Sequence, residues 1–164
     1  MLTEDEISDL WDRRITAEVR SLYFGDLANL LSVRKQWITG ISFFFSSGAA
    51  ATLIAKGTTG SGQILIPISL SIVVALMNAY SVAVNLDLKI RTMSKLQTSW
   101  SELSNEYRRL WNRTWAEDAQ KTLDACIERE LDLSELAATN APNDQKRMGR
   151  WQTKVFELYH LDAA

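Results

Sequence analysis

The sequence predicts an all-α membrane protein: a two-span transmembrane helical hairpin, preceded by an amphipathic N-terminal helix and followed by a long cytoplasmic helical region. Three observations lead there. Charge is segregated, because residues 36–86 carry one charged side chain, Lys56, and all the others lie on either side. Two long uncharged runs, mostly apolar, fill that stretch. Outside it, apolar residues recur every three or four positions, the spacing of one helix face. The averages over all 164 residues, 46% hydrophobic and 23% charged, resemble a soluble globular protein and hide this division. Seven glycines and two prolines argue against a large all-β or low-complexity chain, and a single cysteine excludes an internal disulfide. A formal charge of −2 gives no electrostatic footprint for nucleic acid, so no nucleic-acid partner is expected.

Residues 1–35 form the first element. Thr3 and Glu6 have capping-box spacing, and the acids of that first turn suit the positive end of a helix dipole. Ile7, Trp11, Ile15, Val19, Leu22, Tyr23, Leu27, Leu30 and Leu31 follow at helical spacing. Gly25 suggests a bend or break, and the segment from Leu27 is expected to run into the first span.

The hairpin covers residues 36–86. Its spans are 36–55 and 63–86, each long enough to cross a ~30 Å hydrocarbon core as a helix. The competing reading is a buried hairpin in a soluble protein. It is disfavoured because soluble core helices of this length nearly always carry charge on some face. Gly-, Ser- and Thr-rich residues 56–62 form a tight turn. Arg20, Arg34 and Lys35 precede the spans, Lys89, Arg91 and Lys95 follow them, and Lys56 stands alone between. Positive charge near span ends stays cytoplasmic, which predicts a multi-pass protein of the inner (cytoplasmic) membrane with both termini in the cytoplasm. The first 35 residues are too long and too acidic to start a cleaved signal peptide.

Residues 87–164 form the cytoplasmic helical region. Leu86, Ile90, Met93, Leu96, Trp100, Leu103, Tyr107 and Leu110 step in a heptad-like seam that continues through Leu123, Ile127 and Leu131. A helix continuous from Ile64 to about Ala137 is one reading, and a break near 112–118 is the other. Residues 140–144, Asn-Ala-Pro-Asn-Asp, stop it. A last helix, about 144–160, puts Met148, Trp151, Val155, Leu158 and Tyr159 on one face. It packs back on the long helix or lies at the membrane surface, and packing back is favoured because its basic residues suit a solvated face.

Enzyme chemistry is not expected. His160 and Cys126 are the only histidine and cysteine, too few for a zinc site or a Cys/His nucleophile pair. No phosphate loop or nucleophile elbow occurs, so no catalytic residue, metal or cofactor is assigned. Cys126 reads as a small, half-buried, inert thiol.

Three features are candidates for function. Tyr107, Trp111 and Trp115, at i, i+4 and i+8 beside Arg108, form either an aromatic patch for an anionic ligand or a core stripe with a solvated basic face. Ser71, Ala75, Ala79 and Ala83 make a small-residue stripe on the second span, and Gly48 belongs to a small cluster on the first. Small residues let helices approach within lipid. Ser71, Asn78, Ser81 and Asn85 form a polar line that either bonds helices together or lines a pore.

This layout resembles the SLATT family, two-span bacterial effector domains that accompany nucleotide-second-messenger conflict systems. The resemblance rests on the amphipathic N-terminal helix, the Tyr23-to-Trp37 entry into the first span, the hairpin, and Trp100, Tyr107 and Trp111 after it. The Pro142 break before a helix containing Trp151 fits as well. It implies a pore-forming cell-suicide effector in defence against phage, triggered by a separate sensor protein or a nucleotide signal. The expected function is therefore a homo-oligomeric membrane pore, in contact with membrane lipid, whose subunits are held by the seam from Leu86 to Leu131. The alternative is a non-conducting membrane anchor or scaffold whose cytoplasmic helices bind a partner protein.

Overall fold

The computed structural model describes residues 1–46 and 62–160, with side chains described for 1–44 and 72–160. Five helices make up the described residues, with no strand among them: α1 (Glu4–Ser46), α2 (Gly62–Ala83), α3 (Leu86–Trp111), α4 (Ala119–Asn140) and α5 (Gln145–Leu158). They divide into two compact units. One holds residues 1–28 and 91–164, the other residues 29–90.

The start of α1 follows directly from its first six residues. The Thr3 amide donates to Glu6 Oε2 at 2.8 Å and the Glu6 amide donates to Thr3 Oγ1 at 3.4 Å, a reciprocal capping box. The Leu2 amide donates to the Thr114 carbonyl and the terminal ammonium to that of Ala116, which ties the chain start to the α3–α4 turn. Gly25 does not break α1, which runs through it as one helix from Glu4 to Ser46. A Cβ there would stand 2.8 Å from the Gln97 amide nitrogen, at the movable end of that side chain.

The first unit is a four-helix bundle. Residues up to 28 of α1 run antiparallel to α3, with the Ser21 hydroxyl donating to the Gln97 carbonyl, Arg20 stacked over Trp100, and Trp11 beside Trp111. α4 lies alongside: Arg13 pairs with Glu130 at 3.0 Å, and Arg129 bridges Glu102 and Glu106 of α3. α5 packs back, but on α1 rather than on the post-span helix. Val155 is buried against Ile15 and Val19, with Met148, Trp151, Phe156 and Tyr159 around them, whereas Leu158 is exposed. The Asp144 side chain caps α5 by accepting from the Arg147 amide, and the Tyr23 hydroxyl donates to the Pro142 carbonyl at 2.7 Å, so the α4–α5 turn is anchored to α1.

Two sequence expectations are corrected here. The post-loop helix is not continuous from residue 64. It breaks between α2 and α3 at Asn85, whose φ of 49° is left-handed, and again over 112–118. Asparagine tolerates that conformation where a helix ends. Nor is the seam free to join subunits. Leu86, Met93, Leu96, Trp100, Leu103, Tyr107 and Leu110 are all at most 5% exposed within the single chain. Beyond the 112–118 break the phase resets. Ala119, Leu123, Cys126 and Leu133 are buried, while Leu131 is 66% exposed.

The second unit is an antiparallel pair, the later part of α1 against α2. Lys35 pairs with Asp87, and the Ser42 hydroxyl donates to Asn78 Oδ1 at 3.0 Å. Among the described residues no single helix is long and apolar enough to cross a membrane. One pair, Ile72–Ala83 with Leu86–Trp111, is so by length and composition together, bent by 42°.

Candidate functional site

The second unit turns its apolar residues outward. Leu30, Val33, Trp37, Phe43, Phe44, Ile72, Val73, Leu76, Tyr80, Val82 and Leu88 are all exposed, and exposed large hydrophobics are sparse on the bundle. The cause is visible in α2. Its partly buried positions are Val74, Met77 and Ser81, followed just past its end by Val84, one face at helical spacing, and the neighbouring Asn78 bonds to Ser42 of α1. On the other faces of the described part of α2, Ile72, Val73, Leu76, Tyr80 and Val82 are exposed. Contiguous exposed apolar surface of this kind marks a protein–protein or membrane contact. An open groove of about 450 Å³ between α1 and α2, lined by Arg34, Ile38, Val73, Leu76, Met77 and Tyr80, belongs to this surface.

The structure places the described members of the predicted polar line in different settings. Asn78 is bonded to Ser42, so its carbonyl oxygen is used within the chain. Ser81 is half-buried on the α1-facing side. Asn85 lies beyond the end of α2, where its backbone makes the break, with its amide donating to the Val82 carbonyl. The Ser71 side chain lies outside the described residues, as does Gly48 with the small cluster around it. Ala75, Ala79 and Ala83 are exposed, so the small stripe is not what α2 presents to α1.

The aromatic patch is also taken apart. α3 ends at Trp111, so Trp115 leaves the stripe and stands 69% exposed. Tyr107 is fully buried and donates to Glu130 Oε2 at 2.8 Å. Burial, reinforced by that carboxylate, pushes its phenol far above the ordinary tyrosine range. Trp111 packs on Trp11 with ring centroids 5.2 Å apart. Arg108 is exposed and, among the described residues, bonded only to Asn105. The core reading of the stripe accounts for Tyr107 and Trp111. Cys126 is buried, and burial followed by the Glu106 charge pushes its thiol up to about 11, which disfavours the thiolate at neutral pH.

Sequence reasoning missed Ser42. It is a lone serine in an apolar run, and only the pairing of α1 with α2 places it opposite Asn78. Among the described residues no group of three or more His, Cys, Asp or Glu side chains is arranged to hold a metal ion. No family model, curated protein or solved structure matches the chain.

Proposed function

We propose that the chain is a subunit of a homo-oligomeric membrane pore, with the hairpin of residues 36–86 in the bilayer and the four-helix bundle in the cytoplasm. The observation that carries this reading is the concentration of exposed apolar side chains on residues 29–90, beside a bundle that buries its own. In water such a surface would aggregate. In a bilayer it faces acyl chains or other copies. The Lys/Arg asymmetry around the uncharged stretch orients both termini inward. Trp37 and Tyr80, exposed near Arg34, supply the amphipathic rings that favour the headgroup level. Assembly then falls to α2, since the heptad seam is used up inside each chain. Its exposed Ala75, Ala79 and Ala83 allow a second helix to approach closely. The resemblance to SLATT proteins extends the proposal to a cell-suicide effector against phage.

The experiment is oligomer size and ion flux on the full-length chain, with Ala79→Leu as the probe. Ala79 is exposed in the single chain, so a leucine there leaves the hairpin folded but separates copies. A ring of four or more subunits that depolarises vesicles, and loses both size and flux in the variant, is the expected result. A monomer in mild detergent refutes the pore.

A specific contact favours the second reading, a non-conducting anchor. Asn78, the most central amide of α2, is bonded to Ser42 of its own chain instead of being free to line a water path. A stable oligomer without flux supports that reading.

A further inference from the structure

The bundle contains a polar pocket of about 190 Å³ between α1, α3 and the C-cap of α5. Arg14, Glu18, Ser101, Ser104, Arg108 and Tyr159 line it. Its donors exceed its acceptors. Among the described residues Arg14 has no ion-pair partner, although Glu18 stands one turn further along the same helix. Its Nη2 donates to the Tyr159 hydroxyl at 3.1 Å, and that hydroxyl in turn donates to Glu18 Oε2 at 2.7 Å. Arg14 Nε is buried with no hydrogen-bond partner. The guanidinium is held in place by the rings of Trp11 and Tyr159, at 5.1 and 5.4 Å. Among the described residues Arg108 donates to the neutral Asn105 oxygen alone, 2.7 Å away.

A buried guanidinium N–H without an acceptor is costly, and native proteins leave few of them. Here the orphan belongs to a residue on a pocket that holds a second guanidinium and two serine hydroxyls, Ser101 and Ser104. The only carboxylate in the lining, Glu18, is engaged by Tyr159. At about 30 Å³ per water, the volume holds roughly six waters, or a phosphate-sized anion with a few waters beside it. Two guanidinium groups on different helices, with two serine hydroxyls in the same lining, are donors suited to a tetrahedral oxyanion. We propose that this pocket binds a phosphate-bearing small anion, held by Arg14 from α1 and by Arg108 and Ser104 from α3. The site does not depend on whether residues 29–90 enter a membrane. Because its ligands come from two helices, occupancy stabilises the bundle by linkage.

Inorganic pyrophosphate is the probe, added to the purified full-length chain at constant ionic strength, with calorimetric titration and thermal unfolding as readouts. Saturable binding and a rise in Tm are expected. Arg108→Gln removes an exposed side chain that the core does not need, so it folds. It should weaken binding about tenfold or more, the usual worth of a charge-assisted hydrogen bond. Ser104→Ala should weaken it less. Arg109→Gln, on the next residue of α3 and outside this pocket, should leave it unchanged. Absence of saturable binding by the native chain overturns the proposal. So does an equal loss in Arg108→Gln and Arg109→Gln, which would mean diffuse attraction to a basic surface.

Discussion

The Ser42–Asn78 hydrogen bond is the sharpest quantity the second unit offers. It joins α1 to α2 at 3.0 Å, at the long end of ordinary O–H···O geometry, from a serine only 8% exposed. Interhelical side-chain bonds of this type in membranes contribute on average ~0.6 kcal/mol and at most ~1.7 kcal/mol. Two features set the value in the lower half of that range. Asn78 is exposed, so its amide has other outlets, and a helical serine can turn its hydroxyl to the carbonyl four residues back. A double-mutant cycle of Ser42→Ala and Asn78→Ala, read by reversible unfolding in mixed micelles, should therefore give a coupling of about 0.5–0.8 kcal/mol, a roughly two- to fourfold change in the folded ratio. Each single variant should retain oligomer size, because the contact lies within one chain. A coupling indistinguishable from zero, inside the ~0.3 kcal/mol scatter of independent sites, would refute the pairing and free Asn78 to face a water path or another copy.

Three further expectations follow from particular residues. Gly25→Ala should stabilise the chain by ~0.5–1 kcal/mol in denaturant unfolding, since the helix gains propensity and the atoms a Cβ meets belong to the flexible end of Gln97; a large loss would mean that Gln97 cannot move. At Asn85, with φ of 49°, glycine should be neutral or stabilising while Asn85→Val costs about 1–2 kcal/mol, and equal stabilities would remove the left-handed break. The Cys126 thiol, pushed up to about 11, should react with maleimide very slowly at pH 7 in the folded chain and faster as pH rises toward 11; because its folded value exceeds the unfolded one, its contribution to stability is present below the unfolded pKa and lost above the folded one. Rapid labelling of folded protein at neutral pH would show that the α3–α4 packing opens.

Much of the fold was readable because it depends on local chemistry. The capping box at Thr3–Glu6, the stop at residues 140–144 and the burial of Trp100, Leu103 and Tyr107 each follow from a side-chain period or a few adjacent residues. Asn85 was misread because the sequence marks a polar residue at a seven-step position, not the left-handed backbone that ends a helix there. The frame beyond Trp111 was misread because a few non-helical residues rotate everything after them, which exposes Leu131 and buries Cys126 and Leu133.

The sequence by itself determined the all-helical class, the uncharged stretch from residue 57 to 86, and the amphipathic faces on either side, since periodicity and charge are properties of neighbouring residues. Only the tertiary structure decided which face meets which. It assigned the heptad seam to the chain's own core, paired Ser42 with Asn78, left Ala75, Ala79 and Ala83 outward, and put Arg14 and Arg108 on one pocket. An amphipathic face records that it must be covered and carries no label for its cover. That choice is made by contacts between residues as much as 145 positions apart, such as Arg14 with Tyr159.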